Sequence, residues 1–352
     1  MYRNTFVEVN LPAVKHNVQS LIQKYSDYKY YFGVVKADCY GHGAIETTRA
    51  ILDAGCNYLC VATLDEALEL RTVYHETPIL CLGIINPAFS DVCAENNITI
   101  TVSNLAQLQA IPTDLMLKTH IKLNTGMNRL GISSKSEFNQ IYEYIKSQPF
   151  FTLEGIYTHI YDAENRERTE KQYETFEQIT SDINLDKIPI VHVGASEATE
   201  YYTKRLYANG CRLGISMYGL IDYKDTEFES TYSLVSEVIQ INEIQSGETV
   251  GYSGNHQADT TERIAVIPIG YADGFIRKNT GRNVYINNKA FPIVGNICMD
   301  MTFVKVDDSV RTGDKVYLLK DIKHIQETAK HLDTITYEVI CSPSKRVPRI
   351  YK

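Results

Sequence analysis

Between about residue 10 and residue 220, short apolar runs alternate with longer amphipathic stretches. This alternation restricts what the 352-residue chain can fold into more than any other feature. The apolar runs fall at 31–35, 58–62, 79–82, 98–102, 120–123, 153–158 and 189–193. Helical spacing of apolar residues fills gaps at 45–53, 64–73, 138–147 and 166–183, and Asn10 with Pro12 offers an N-cap and first turn for a helix over 14–23. Strands joined by helices of this length lie parallel with right-handed crossovers, and seven or eight such units close on themselves. The expected class is α/β, a (β/α)8 TIM-type barrel over residues 10–225. After about Tyr223 the texture changes to β-rich runs at 233–241, 263–269, 283–286, 290–297 and 315–319, with a turn at 245–247 and helical spacing only at 326–331. Residues 226–352 therefore read as a mainly β C-terminal domain.

Barrel active sites lie at the C-terminal ends of the strands. The run containing Phe32, Val34 and Val35 ends at Lys36, and on the same reading Arg129 and His159 also fall at strand ends. A lysine that closes a buried strand costs free energy unless it is paired, snorkels to water or is used covalently. Two glycines in the following Tyr40-Gly41-His42-Gly43 let backbone approach a ligand closely. On these residues alone the segment fits two readings. One is a snorkelling lysine; the other is an amine whose pKa is lowered by partial burial, as a Schiff base with an aldehyde cofactor requires.

Bulk properties exclude several classes. A formal charge of −8 without clustered Lys and Arg argues against nucleic acid and against anionic membrane surfaces. The chain as given has no run of 18 apolar residues and no signal-peptide core at its start, so no membrane contact is expected. The eight cysteines are scattered with no Cys-x-x-Cys pair, which points to reduced, buried thiols of a cytoplasmic protein and to no metal site.

Eight segments then occur in a fixed order: Gly-Val-Val-Lys-Ala-Asp-Cys-Tyr-Gly-His-Gly-Ala at 33–44, Ile-Lys-Leu-Asn-Thr-Gly-Met-Asn-Arg-Leu-Gly at 121–131, Gly-Ile-Tyr-Thr-His at 155–159, Arg-Leu-Gly-Ile-Ser-Met-Tyr-Gly at 212–219, Val-Gly-Tyr at 250–252, Ile-Gly-Tyr-Ala-Asp-Gly at 269–274, Gly-Asn-Ile-Cys-Met-Asp at 295–300 and Arg-Val-Pro-Arg at 346–349. Together they resemble the bacterial alanine racemases, enzymes dependent on pyridoxal 5′-phosphate, over the whole chain. The resemblance implies that Lys36 carries the cofactor and serves as one of two catalytic bases, interconverting L- and D-alanine for the cell wall. Racemisation removes a proton from one face of Cα and returns it to the other, so a second base is needed. Tyr252 matches that base, and its pKa near 10 must be lowered by neighbouring cations. His159 matches its partner, with Arg129 and Arg212 adding positive field.

Arg212 further matches the arginine set against the pyridine nitrogen. A guanidinium holds that nitrogen as an acceptor, so carbanion character is less delocalised and side reactions are suppressed. Arg129 matches a group near the substrate carboxylate, which arginine grips with two parallel hydrogen bonds. Tyr40, Ser196, Gly214 and Ile215 match the phosphate cup. Lys122 matches a lysine that relatives carry carbamylated; an ordinary lysine ion pair is the other reading. On the β domain, Met299 and Asp300 match the substrate entrance, and Tyr271 and Arg277 its outer corridor. The family pattern also places strand 1–9 with the β domain, and makes a head-to-tail homodimer in which Tyr252 and Met299 complete the partner's site.

One departure stands out. Lys345 occupies the place, just before Arg-Val-Pro-Arg, where the family usually has a tyrosine that narrows the substrate pocket. Related serine racemases of the vancomycin-resistance type also lack that tyrosine, so serine is the alternative substrate and Lys345 a candidate substrate-binding residue. A decarboxylase on the same architecture usually needs a glutamate where Arg212 stands, and a non-catalytic cofactor-binding barrel lacks the β domain.

Overall fold

The computed structural model describes residues 2–221 and 225–352; the change of texture at Tyr223 lies outside them. Strand β1 (Phe6–Val9) precedes the barrel, whose strands are β2 (Tyr30–Val34), β3 (Tyr58–Val61), β4 (Ile79–Cys81), β5 (Ile98–Val102), β6 (Leu117–Lys122), β7 (Phe151–Tyr157), β8 (Ile190–His192), β9 (Gly194–Ala195) and β10 (Gly210–Leu213). Every neighbouring pair is parallel. β2 through β8 follow in sequence order, β9 pairs with β10, and β10 closes onto β2 with Arg212 opposite Phe32. β8 and β9 are two halves of one eighth-barrel stave interrupted at Val193, so the (β/α)8 architecture read from the sequence is what the chain forms. The short apolar runs became these strands because both faces are covered: β3 and β5 are buried at every position. The helices start where side-chain caps allow. Asn10 accepts from Ala13 N at 3.1 Å, and Thr63 with Glu66 forms a capping box.

Some boundaries move. The helix expected over 166–183 ends at Ile179. β6 starts at Leu117 rather than 120, adding Leu117, Lys118 and Thr119 to the strand. β10 has no counterpart among the expected runs, since one of its four buried positions is Arg212.

In the β domain nine strands form one sheet. Reading across it gives Gln240–Ile244, Glu262–Ile267, Thr302–Val306, Lys289–Val294, Asn283–Ile286, Lys315–Leu319, Tyr232–Glu237, Phe6–Val9 and Arg349–Tyr351. β1 joins it, antiparallel to 232–237 and parallel to 349–351. The single short helical pattern at 326–331 understated this region. A helix runs over Ile322–Leu332, capped by the Asp321 carboxylate on His324 N, and a second covers Thr336–Cys341. The second carries Tyr337 to within 6.1 Å (ring centroids) of Tyr40 on the barrel. Among the described residues no helix is long and apolar enough to cross a membrane.

Candidate active site

A cavity of about 460 Å³ opens at the C-terminal ends of the barrel strands. Lys36 enters it from the end of β2, Lys122 from the end of β6, His159 from just beyond β7, Ser196 from just beyond β9, and Arg212 with Gly214 and Ile215 from β10 and its sequel. Tyr40 and Arg129 complete the set. All nine barrel residues singled out from the sequence thus line one space.

The chain leaves Lys36 in an unusual way. Ala37, Asp38, Cys39 and Tyr40 all adopt left-handed helical backbone, with φ of 52°, 55°, 51° and 53°, and Gly41 follows at 80°. For residues other than glycine this costs roughly 1–2 kcal/mol each, so the surroundings must impose it. Glu66 accepts from Ala37 N at 2.8 Å while capping its own helix, Asp38 accepts from Ala44 N at 2.7 Å, and Arg349 donates to the Gly41 carbonyl at 3.0 Å. The turn aims the Tyr40 ring back over the cavity. Four non-glycine residues thus carry most of the strain of this turn.

Positive groups dominate the cavity. Burial, reinforced by Arg129, lowers the pKa of the Lys36 amine. Lys122, buried over the Tyr157 ring at 4.6 Å, is pushed down to about 7 by burial and by Arg212 and Arg129. His159 is driven well below its ordinary value by burial, Arg212 and Lys122, and is therefore neutral. Arg212 is held rigidly: Nη1 donates to the His192 carbonyl at 2.7 Å and Nη2 to the Thr158 carbonyl at 2.7 Å, with His159 Nδ1 at 3.4 Å. At the opposite end Gly214 N donates to Ser196 Oγ at 3.0 Å. A Cβ on Gly214 would stand 3.4 Å from the Tyr40 hydroxyl and 3.5 Å from Ser196 Oγ. Two hydroxyls and a bare backbone therefore face one small space, which suits an anionic oxygen cluster.

The β-domain residues lie elsewhere. Tyr252, Met299 and Asp300 line a separate shallow patch with Gly251, Cys298, Met301 and Phe303. Tyr252 is 73% exposed and Met299 53%. Tyr271 is strapped beside them, its N–H donating to the Cys298 carbonyl at 3.1 Å. Asp300 pairs with Arg346 at 2.7 Å. Lys345 is exposed and does not line the cavity, whereas Tyr337, which no sequence signal singled out, does. Within one chain, then, Lys36 and Tyr252 belong to different surfaces.

Fold and cavity together define a barrel enzyme with a buried lysine, a buried arginine and an oxyanion cradle at the strand ends, followed by a β domain. The family model described as "Alanine racemase, N-terminal domain" matches residues 9–222, and "Alanine racemase, C-terminal domain" matches 231–351. An alanine racemase of Anoxybacillus flavithermus is 37% identical over 99% of this chain and 95% of its own length. The crystal structure of alanine racemase from E. faecalis superposes with a TM-score of 0.94 at 33% identity, covering 100% of this chain and 99% of that one. A histidine racemase from Leuconostoc mesenteroides superposes at 0.91 with 25% identity over 100% and 98%. The chain belongs to the alanine racemase family, a family of isomerases. These relatives are named for alanine or histidine, so serine gains no support from them.

Proposed function

We propose that the cavity binds pyridoxal 5′-phosphate and that the chain interconverts L- and D-alanine by a two-base route, with Lys36 on one face of the substrate and Tyr252 of the partner subunit on the other. What carries this reading is the convergence in one cavity of an amine with a depressed pKa, a fixed guanidinium and a hydroxyl-lined cradle. Bound there, the cofactor would supply an electron sink that acidifies the substrate Cα proton. Lys36 would hold its aldehyde end, Arg212 the ring nitrogen, and Tyr40, Ser196, Gly214 and Ile215 the phosphate.

The remaining chemistry belongs to the chain. Burial keeps more of the Lys36 amine unprotonated at neutral pH, so it can take a proton from Cα and give one back. Arg129 makes no hydrogen bond or ion pair among the described residues, which leaves its guanidinium available to the substrate carboxylate. The opposite face needs a second acid/base. The exposed patch of Tyr252, Met299 and Met301 is apolar enough to be covered, and a head-to-tail homodimer would cover it with the partner's cavity mouth. The protein would then be a cytoplasmic supplier of D-alanine. The test is chiral analysis of turnover on L-alanine, combined with borohydride treatment of the loaded enzyme. We expect racemisation and irreversible fixation on the peptide bearing Lys36; fixation on another lysine, or retention by Lys36→Ala, would overturn the assignment.

A further inference from the structure

The interior of the barrel below the cavity is polar, where branched apolar side chains usually fill it. His192, ending β8, and His120, on β6, are both 0% exposed. Arg212 Nη1 lies 2.6 Å from His192 Nδ1, His192 Nε2 lies 2.9 Å from His120 Nδ1, and His120 Nε2 lies 3.2 Å from Glu154 Oε2. A guanidinium only donates and a carboxylate only accepts, so the two ends of this chain fix every proton within it. Arg212 donates to His192 Nδ1, which leaves the His192 proton on Nε2. That N–H donates to His120 Nδ1, and His120 Nε2–H donates to Glu154. Both imidazoles are neutral, as their burial also demands.

The surroundings are shaped to this arrangement. Phe32 and Tyr157 clamp the His192 ring from both sides, each with centroids 4.6 Å away and planes at 22° and 9°. A Cβ at Gly155 would sit 2.5 Å from the His120 ring, and one at Gly210 would sit 3.0 Å from His192 Cβ, so these two glycines make the room. Glu154 also accepts from the Tyr58 hydroxyl at 2.6 Å and from Thr99 Oγ1 at 3.1 Å, and the hydrogen bonds from His120 and Tyr58 lower its carboxyl pKa to about 2 despite its partial burial, which keeps it ionised.

We infer that Glu154, His120 and His192 are positioning residues: a one-directional relay through which a half-buried carboxylate orients Arg212, offsets its charge across two neutral rings, and sets how strongly the guanidinium donates to a ring nitrogen in the cavity. The inference rests on the cofactor reading above for its last step only. Histidine nitrogen NMR of the ligand-free protein tests the relay itself. Both rings should hold the neutral Nε2–H tautomer between about pH 5 and 8. An Nδ1–H or protonated ring at either position overturns the relay, whatever the cofactor does. Glu154→Gln keeps the size and an acceptor but removes the charge. With its melting behaviour shown to be native-like, it should bind pyridoxal phosphate roughly ten- to a hundredfold more weakly, the range that outer partners of a bound group command. The bound cofactor's absorption should shift as well. Wild-type affinity and absorption in Glu154→Gln would overturn the charge-offset role, whereas a wild-type chain that binds no pyridoxal phosphate would instead refute the cofactor reading.

Discussion

Substituting alanine for Gly41 isolates the contact that locks the lysine-bearing turn against the β domain. A Cβ there would lie 2.2 Å from the Ile340 carbonyl oxygen and 3.1 Å from its carbon, far inside the 3.5–4.0 Å of ordinary contact. That oxygen cannot swing away freely, because it accepts from the Tyr232 hydroxyl at 3.2 Å. Two costs combine: about 1–2 kcal/mol for placing an L-residue at φ of 80° and about 1–3 kcal/mol for overpacking. Gly247→Ala supplies the control, since its φ is 89° and nothing lies within 4 Å of the new methyl. Denaturant unfolding should show Gly247→Ala losing only the backbone part and Gly41→Ala losing that plus the steric part, about 2–5 kcal/mol in all. Because Tyr40 precedes Gly41, cofactor affinity should fall in Gly41→Ala alone. Equal losses in the two variants, with cofactor affinity unchanged, would refute the view that backbone contact with 336–341 holds the turn.

Two further outcomes follow. Mixing inactive Lys36→Ala with inactive Tyr252→Phe should regenerate racemase activity, because a hybrid dimer would contain one intact site; no recovery despite demonstrated subunit exchange would refute sites shared between chains. Lys122 binds its proton less readily when folded, with its pKa pushed down to about 7 from the ordinary lysine value of 10.5, so between these limits the unfolded chain holds more protons and stability contributed by this group rises with pH. In carbon dioxide-free buffer, wild type minus Lys122→Met should therefore become more favourable from pH 7 to 9, and a flat difference would show that the amine is not desolvated.

The barrel was legible because a strand covered on both faces needs an uninterrupted apolar run, and β3, β4 and β5 have one. β10 was not, and the reason is chemical: one of its buried positions is Arg212, whose polarity is satisfied by His192, Thr158 and His159, contacts that no single segment reveals. His120 and Glu154 were missed in the same way, since their pairing crosses strands. The helix Thr336–Cys341 escaped notice because six residues with two buried positions carry too little periodicity. Lys36, Arg129 and His159 were legible from their places at strand ends, whereas the other residues of the cavity were found through motif resemblance. Lys345 stands apart from them: the motif made it a candidate substrate-binding residue where the usual tyrosine wall is missing, whereas in the fold it is exposed and the cavity lining includes Tyr337 from the helix Thr336–Cys341.

The placement of β1 bears on how the chain is made. Its partners are Tyr232–Glu237 and Arg349–Tyr351, the latter about 340 residues later in synthesis. At 5–20 residues per second, roughly 10–45 s pass before even the nearer partner, about 225 residues on, is made, and during that time a strand already outside the ribosome has no sheet to join. The barrel between them can close first, since its pairings are mostly between neighbouring units. Throughout that interval Phe6, Val7 and Val9 offer an unpaired apolar edge to other nascent chains, so yield in the cell should depend more on chaperone supply and translation rate than on the stability of the finished fold.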